Sequence, residues 1–182
     1  HIPEPAAEFN NVLIYFPGST IGNFTPQGRH ELLRSFAEHL RELGEHPGYL
    51  LIGFDLIKDT RLLERAYNDS EGVTAEFNMN LLRRANRELD ADFDLARFEH
   101  KSVWNPDRER IEMHLVSRES QDVSVADETI HFDAGETIHT ENSHKFSVDG
   151  FADLARNAGL DIERVWTDDD DLFAVALFRA VA

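Results

Sequence analysis

The chain has 182 residues, with 35 acidic against 18 basic side chains for a formal net charge of −17, and it contains no cysteine. This charge makes nucleic acids and anionic membranes unfavourable partners, and the lack of cysteine excludes disulfides and thiolate metal sites. No run of about 18 apolar residues occurs, and residues 1–10 lack the pattern of a signal peptide. The 41% of apolar residues indicates a folded globule. The absence of cysteine fits a cytoplasmic protein, and we expect a monomer with no membrane segment.

The first 90 residues predict a parallel βαβ unit followed by two helices. Apolar runs at residues 11–16 and 49–56 predict buried strands, and leucine and phenylalanine at helical spacing predict a helix from Thr25 to Gly44 between them. Residues 59–66 and 74–89 predict two further helices, the first capped by Asp59. In the second of these, the apolar face comprises Phe77, Leu81, Leu82, Ala85 and Leu89.

The middle of the chain changes to the period of two that is typical of strands. Four short strands are predicted, with turn residues between them, at residues 98–104, 111–117, 122–125 and 129–132. Along the second strand, one face carries Ile111, Met113 and Leu115, and the other carries Glu112, His114 and Val116. This pattern predicts an antiparallel insertion of about 50 residues.

After the insertion, helical spacing returns from Val148 to Ala155 and ends at Gly159, and residues 161–167 and 172–178 predict a closing hairpin. The fold class is therefore α/β. We expect residues 1–90 and 147–182 to form one core and residues 91–146 to form the insertion. Because a sheet opened at residue 11 would expose a long strand edge, we also expect further strands upstream in the native protein.

Two segments carry candidate site residues. FPGSTIGNF (residues 16–24) follows a strand, and its glycines allow close approach of a ligand to the backbone, while Asn23 offers donors and an acceptor. GETIHTENSHKF (residues 135–146) is predicted to be a polar loop before a helix. An ordinary glycine loop and a capping loop are the structural alternatives. A third alternative is a metal-binding β-module that uses His139, Glu141 and His144.

Five blocks, in this order, carry a resemblance to a known family. They are FPGSTIGNF, LIGFDLIKD, AYND with EGVTAEFN, IEMHLVS and GETIHTENSHKFS. Together they resemble the histidine Nα-methyltransferases of ergothioneine biosynthesis and their bacterial relatives, across residues 11–178. The resemblance implies a class I Rossmann-like methyltransferase fold whose N-terminal strands and acidic-glycine cofactor motif lie outside this chain. This segment alone is therefore expected to be inactive.

The resemblance implies an S-adenosylmethionine-dependent enzyme that methylates the α-amino group of histidine or a related amino acid. It places Gly18 and Ser19 at the cofactor, and it implies no resident metal. For the substrate, it implies that Asn23 holds the α-amino and carboxylate groups and Tyr67 the carboxylate, that Met113 lines the side-chain pocket, and that Glu141 and Ser143 bond the imidazole. A relative with a changed substrate or lost activity is the alternative within the same family.

Overall fold

The computed structural model describes residues 10–42 and 47–181. Its strands are β1 (Val12–Phe16), β2 (Gly48–Asp55), β3 (Phe98–Asn105), β4 (Arg110–Ser117), β5 (Gln121–Val125), β6 (Glu128–Phe132), β7 (Thr137–His144), β8 (Leu160–Thr167) and β9 (Phe173–Ala180). Its helices are α1 (Pro26–Glu42), α2 (Thr60–Tyr67), α3 (Val73–Glu88) and α4 (Val148–Asn157), with short 3-10 helices at Thr20–Asn23 and Leu95–Arg97.

The chain divides into two compact units. The first unit comprises His1–Lys58 and His144–Ala182, and the second comprises Asp59–Ser143. Sequence analysis instead predicted that the insertion begins after residue 90 and ends at residue 146. The difference at the first boundary arises because α2 and α3 pack against β3 and β4, and so belong with the antiparallel strands.

The first unit is built on a four-stranded sheet of order β1-β2-β9-β8. β1 and β2 are parallel, whereas β9 runs antiparallel to both β2 and β8. Leu50, Ile52 and Phe54 of β2 are fully buried, and the Phe54 ring stacks on Phe151 of α4 at 4.0 Å between centroids. The predicted βαβ unit and closing hairpin are confirmed. The predicted helix end at Gly44 lies outside the described residues.

The second unit contains a three-stranded sheet of order β3-β4-β7 and the hairpin β5-β6. Strand β4 shows the predicted alternation. Ile111, Met113 and Leu115 are buried, and the residues between them are partly exposed. The four predicted strands of the insertion are confirmed, as is the Asp59 cap, whose side chain accepts from the Arg61 N–H. The fold class predicted from the sequence, α/β with an antiparallel β insertion, is thus confirmed.

Two local predictions were wrong. Residues 137–144 form strand β7 and not a loop, because the polar segment pairs with β4. Of the predicted apolar face of α3, Leu82 is buried, but Phe77, Leu81 and Leu89, which follows the helix, are exposed. Asn78 and Met79 are buried instead. The packed face includes the polar Asn78, which bonds the second-unit sheet, so apolar periodicity placed the helix correctly but misassigned its buried face. Among the helices of residues 10–42 and 47–181, none has the length and apolarity of a membrane span.

Candidate functional site

The loop after β1 presents its backbone openly at the carboxyl end of the strand. Gly18 and Ser19 have positive φ angles of 76° and 57°, a conformation that favours glycine. A Cβ added at Gly18 would meet no atom within 4 Å, so the backbone there is open to a ligand. The 3-10 helix that follows ends at Asn23, whose side chain is exposed. This is the strand end at which open α/β sheets bind ligands.

Two contacts hold this loop against the rest of the first unit. The Ser19 hydroxyl oxygen accepts from the backbone N–H of Asp55 at 2.9 Å. The carbonyl oxygen of Gly22 accepts from Nδ1 of the buried His144 at 2.8 Å, which fixes the proton of that imidazole on Nδ1. A Cβ at Gly22 would lie 2.8 Å from the His144 carbonyl oxygen, so glycine permits this packing.

The same His144 contact disfavours the metal triad of His139, Glu141 and His144. Side chains alternate along a strand, so His139 and Glu141 share one face of β7 and His144 lies on the other. His144 is buried and bonded to Gly22, whereas His139 is exposed. The structure therefore does not bring these three side chains together.

A buried charge network, which was not predicted from the sequence, lies at the end of β2. The Lys145 side chain is fully buried, and its Nζ lies 2.7 Å from Oδ2 of Asp55. The other carboxylate oxygen of Asp55 accepts from Lys58, which also donates to the carbonyl of Leu172 at 2.8 Å. Asp55 thereby links the Ser19 loop, the residue after β7 and the closing hairpin, and it counters the desolvation of Lys145.

In the second unit, the structure brings Tyr67 to Ser143. The phenolic oxygen at the end of α2 lies 2.7 Å from the Ser143 hydroxyl oxygen on β7. The backbone carbonyl of Tyr67 accepts from His100 Nε2 at 2.9 Å, and His100 Nδ1 accepts from the buried Asn78 at 3.0 Å. Asn78 also donates to the His114 carbonyl at 3.1 Å. Tyr67 is thus held at its backbone and at its hydroxyl.

The two residues after Tyr67 are structural. The Asn68 amide exchanges two hydrogen bonds with the backbone of Ser102 on β3, at 3.1 and 3.2 Å. The Asp69 carboxylate accepts from the first N–H groups of α3, on Val73 and Thr74, at 2.8 and 2.9 Å. Hydrogen bonds from Thr74 and Val73 lower the pKa of Asp69 from 3.8 to about 2. The AYND block therefore positions Tyr67 between two anchored segments.

Met113 and Glu141 also belong to the second unit. Met113 is buried in an apolar cluster with Leu63 and Ile111, and Tyr67 packs against this cluster. Glu141 lies two residues before Ser143 on β7 and is partly buried. Burial raises the pKa of its carboxyl group, because desolvation penalises the charged form. Of the residues that the resemblance assigns to the substrate, Tyr67 thus contacts Ser143 and packs against the cluster that contains Met113.

Sequence reasoning missed a second polar cluster on the second-unit sheet, formed by Glu112, His114 and His139. The two imidazole rings stack with centroids 4.6 Å apart, and His114 Nε2 lies 3.5 Å from Oε2 of Glu112. Burial and the neighbouring His139 lower the pKa of His114. Burial opposes ionisation of Glu112, but bonds from Arg110 and Asn105 outweigh it and lower its pKa. The spacing of Glu112 and His114, two apart in IEMHL, is the signal that could have found the cluster.

The amino-acid sequence matches a known protein family and two of its curated members. A family model described as "Histidine-specific methyltransferase, SAM-dependent" matches residues 2–180. The chain is 49% identical over 168 residues to a histidine N-alpha-methyltransferase from Mycolicibacterium smegmatis and 46% identical over 168 residues to one from Mycobacterium tuberculosis. Each match covers 91% of this chain and 51% of the relative, so the chain spans about half the length of these curated relatives.

Solved structures show a weaker likeness. An S-adenosylmethionine-dependent methyltransferase from Clostridium acetobutylicum matches with a TM-score of 0.48 at 9% identity. The match covers 100% of this chain and 62% of that one.

Proposed function

Because this chain belongs to the family of S-adenosylmethionine-dependent, histidine-specific methyltransferases, we propose that the protein containing it methylates the α-amino nitrogen of histidine. The relatives that are 49% and 46% identical, both histidine N-alpha-methyltransferases, support this substrate. The observation in the structure that carries the proposal is the 2.7 Å contact between Tyr67 and Ser143. It joins two separate motif blocks whose residues the resemblance assigns to the substrate.

The open backbone at Gly18 suits the cofactor. S-adenosylmethionine supplies an activated methyl group on a sulfonium centre. Gly18 and Ser19 lie at the end of a parallel strand, and nothing within 4 Å would oppose an atom placed where a Gly18 Cβ would be. Ser19 also ties the loop to β2 through the Asp55 N–H, so the loop keeps its shape before the cofactor binds.

The amine must react as a free base, and the protein's contribution is to orient it. Asn23 is neutral and exposed, and its amide offers both donors and an acceptor to the amino and carboxylate groups of an amino acid. A cationic residue at that position would repel the amine in its protonated form, whereas a carboxylate would stabilise that form. An amide orients the amine without either effect.

The Tyr67–Ser143 pair is suited to bind both ends of histidine. When the Tyr67 hydroxyl donates to the substrate carboxylate, its oxygen can accept from the Ser143 hydroxyl. In the imidazolium form both ring nitrogens donate, and the resemblance assigns one of these hydrogen bonds to Ser143. Glu141, in its ionised form, accepts the other hydrogen bond from the ring, and Met113 packs against its apolar edge. A site built on these bonds rejects amino acids that lack an imidazole.

The test is steady-state kinetics of the complete protein with S-adenosylmethionine and a panel of amino acids. We expect histidine to be methylated. Glu141→Gln should lower kcat/KM for histidine, with a loss of transition-state stabilisation of about 1–3 kcal/mol, as for a hydrogen bond to a charged group. Glu128→Gln is the matched control, because Glu128 is an exposed glutamate of the same unit. Asn23→Ala should impair every accepted amino acid alike.

The outcomes separate the candidates. Methyl transfer to another amino acid, with no turnover of histidine, would indicate a relative with a changed substrate. A complete protein that binds neither S-adenosylmethionine nor any amino acid of the panel would indicate lost activity. Unchanged histidine kinetics in Glu141→Gln would remove Glu141 from the site.

A further inference from the structure

Three potential metal ligands meet on one face of the second-unit sheet. Glu112 and His114 are two residues apart on β4, so both side chains project from the same face. His139 lies on the neighbouring strand β7, and its ring stacks on that of His114 with an interplanar angle of 26°. One nitrogen or oxygen atom from each of the three side chains lies within 4.8 Å of the other two.

The spacing of the first two ligands already suits a metal. Nε2 of His114 and Oε2 of Glu112 are 3.5 Å apart. Ligand atoms bound at zinc distances in a tetrahedron lie about 3.3 Å from one another. The separation is also longer than an ordinary hydrogen bond, so the two atoms are held near each other without a strong mutual bond. His139 is exposed, and a ligand atom of its ring lies within 4.8 Å of one from each of the other two side chains.

The carboxylate of Glu112 is oriented by neighbours that leave one oxygen available. Its Oε1 accepts from Arg110 Nε at 2.8 Å, from the terminal guanidinium nitrogen at 2.6 Å and from Asn105 at 3.0 Å. Oε2 faces His114 instead. Such outer contacts orient the ligands of metal sites, and here they also pair the positive charge of Arg110.

His114 supplies an independent observation. Its Nδ1 is buried without a hydrogen-bond partner among the described residues. A buried imidazole nitrogen without a partner is costly, and a flip of the ring that turns Nδ1 toward Glu112 would let an ion at the cluster satisfy it. On its other edge, Nε2 has a long contact of 3.5 Å with Oε2 of Glu112. Either nitrogen, turned toward the cluster, can bind a cation.

We propose that Glu112, His114 and His139 form a binding site for a divalent transition metal, with Zn²⁺ as the ion that fits best. Two imidazoles and one carboxylate are the ligand set that zinc, and to a lesser degree iron, nickel and copper, accept in proteins. The exposed side of His139 leaves a fourth coordination position to solvent and provides an entry path. The net charge of −17 adds a favourable field for a cation. The proposal requires no step of the methyl transfer.

The test is titration of the complete, chelator-treated protein, without a histidine tag, with ZnCl₂ alone. Calorimetry should show one ion bound per chain, and Co²⁺ in its place should show the visible absorption of a low-symmetry site with nitrogen ligands. His114→Gln and His139→Gln should each weaken binding at least tenfold. His131→Gln is the control, since His131 is an exposed histidine of the same unit that contacts Asp122 and Asp133 at 2.6 and 3.5 Å.

Each outcome of this titration either supports or overturns the proposed metal site. Unchanged binding in both His114→Gln and His139→Gln would overturn the site, as would a loss confined to His131→Gln. Circular dichroism of the variants separates lost ligands from lost folding, and His139→Gln is informative even if His114→Gln does not fold, because His139 is exposed. The titration contains neither S-adenosylmethionine nor histidine, so its failure leaves the proposed function untouched.

Discussion

The hydroxyl oxygens of Tyr67 and Ser143 lie 2.7 Å apart, although the residues are separated by 76 positions in the chain. Tyr67 ends α2, and Ser143 is the next-to-last residue of β7. The carbonyl of Tyr67 is held by His100, which is in turn held by Asn78. The hydroxyl pair is therefore the outer end of a hydrogen-bonded path that begins inside the helix–sheet packing of the second unit.

Tyr67→Phe removes this hydroxyl contact while keeping the ring against Met113 and its neighbours. We expect the free energy of unfolding to fall by about 1 kcal/mol, the usual value for a hydrogen bond of this kind. In the complete protein we also expect a higher KM for histidine. Tyr15→Phe is the matched control, because Tyr15 is 66% exposed on β1. Urea unfolding and kinetics measure both effects, and equal behaviour of the two variants would contradict the assigned role.

Gly22→Ala tests the packing of the loop that carries Asn23. The new Cβ would meet the backbone oxygen of His144 at 2.8 Å, and backbone cannot move aside as a side chain can. We expect a loss of about 1–3 kcal/mol of unfolding free energy, typical of overpacking. Gly28→Ala is the control in α1, where the nearest atom is the Thr25 side-chain oxygen at 3.3 Å and alanine favours helix. A Gly22→Ala protein as stable as the parent would refute the tight contact.

Lys145→Met tests the buried charge network. The substitution keeps the length of the side chain but removes the partner of Asp55 Oδ2, which lies 2.7 Å away. We expect a loss of about 3 kcal/mol of unfolding free energy, the low end for breaking a buried ion pair, because Lys58 still contacts Asp55. The double variant Lys145→Met with Asp55→Asn should recover part of this loss. Additive effects of the two substitutions would show that the groups are not coupled.

Asp69→Asn tests the pH dependence that follows from the start of α3. The pKa of Asp69 is lowered from 3.8 to about 2, so its carboxylate stabilises the fold above pH 3.8 and loses that contribution as the pH falls toward about 2. The unfolding free energies of parent and Asp69→Asn should therefore differ most near neutral pH and converge between pH 3.8 and 2. Asp127→Asn, an exposed turn variant, should show no such convergence. Denaturant unfolding between pH 2 and 6 provides the measurement.

Local patterns in the sequence were sufficient for most of the secondary structure. The apolar run of β2, the alternation of Ile111, Met113 and Leu115, and the Asp59 cap all express the period or hydrogen-bonding need of one element. The family also followed from the sequence, because the motif blocks occur in a fixed order. The prediction failed at β7, since a polar strand has no apolar alternation and exists through its pairing with β4.

Local sequence patterns therefore predicted the type of most regular elements, and the order of the motif blocks predicted the family. The tertiary structure decided which side chains meet: Tyr67 with Ser143, Asp55 with Lys145, and Glu112 with His114 and His139. These groups come from different elements, and the energy of each contact depends on distance and burial, which a linear pattern does not encode. The same reason explains α3, where hydrogen bonds from Asn78 to the second-unit sheet placed a polar residue inside and left Phe77 exposed.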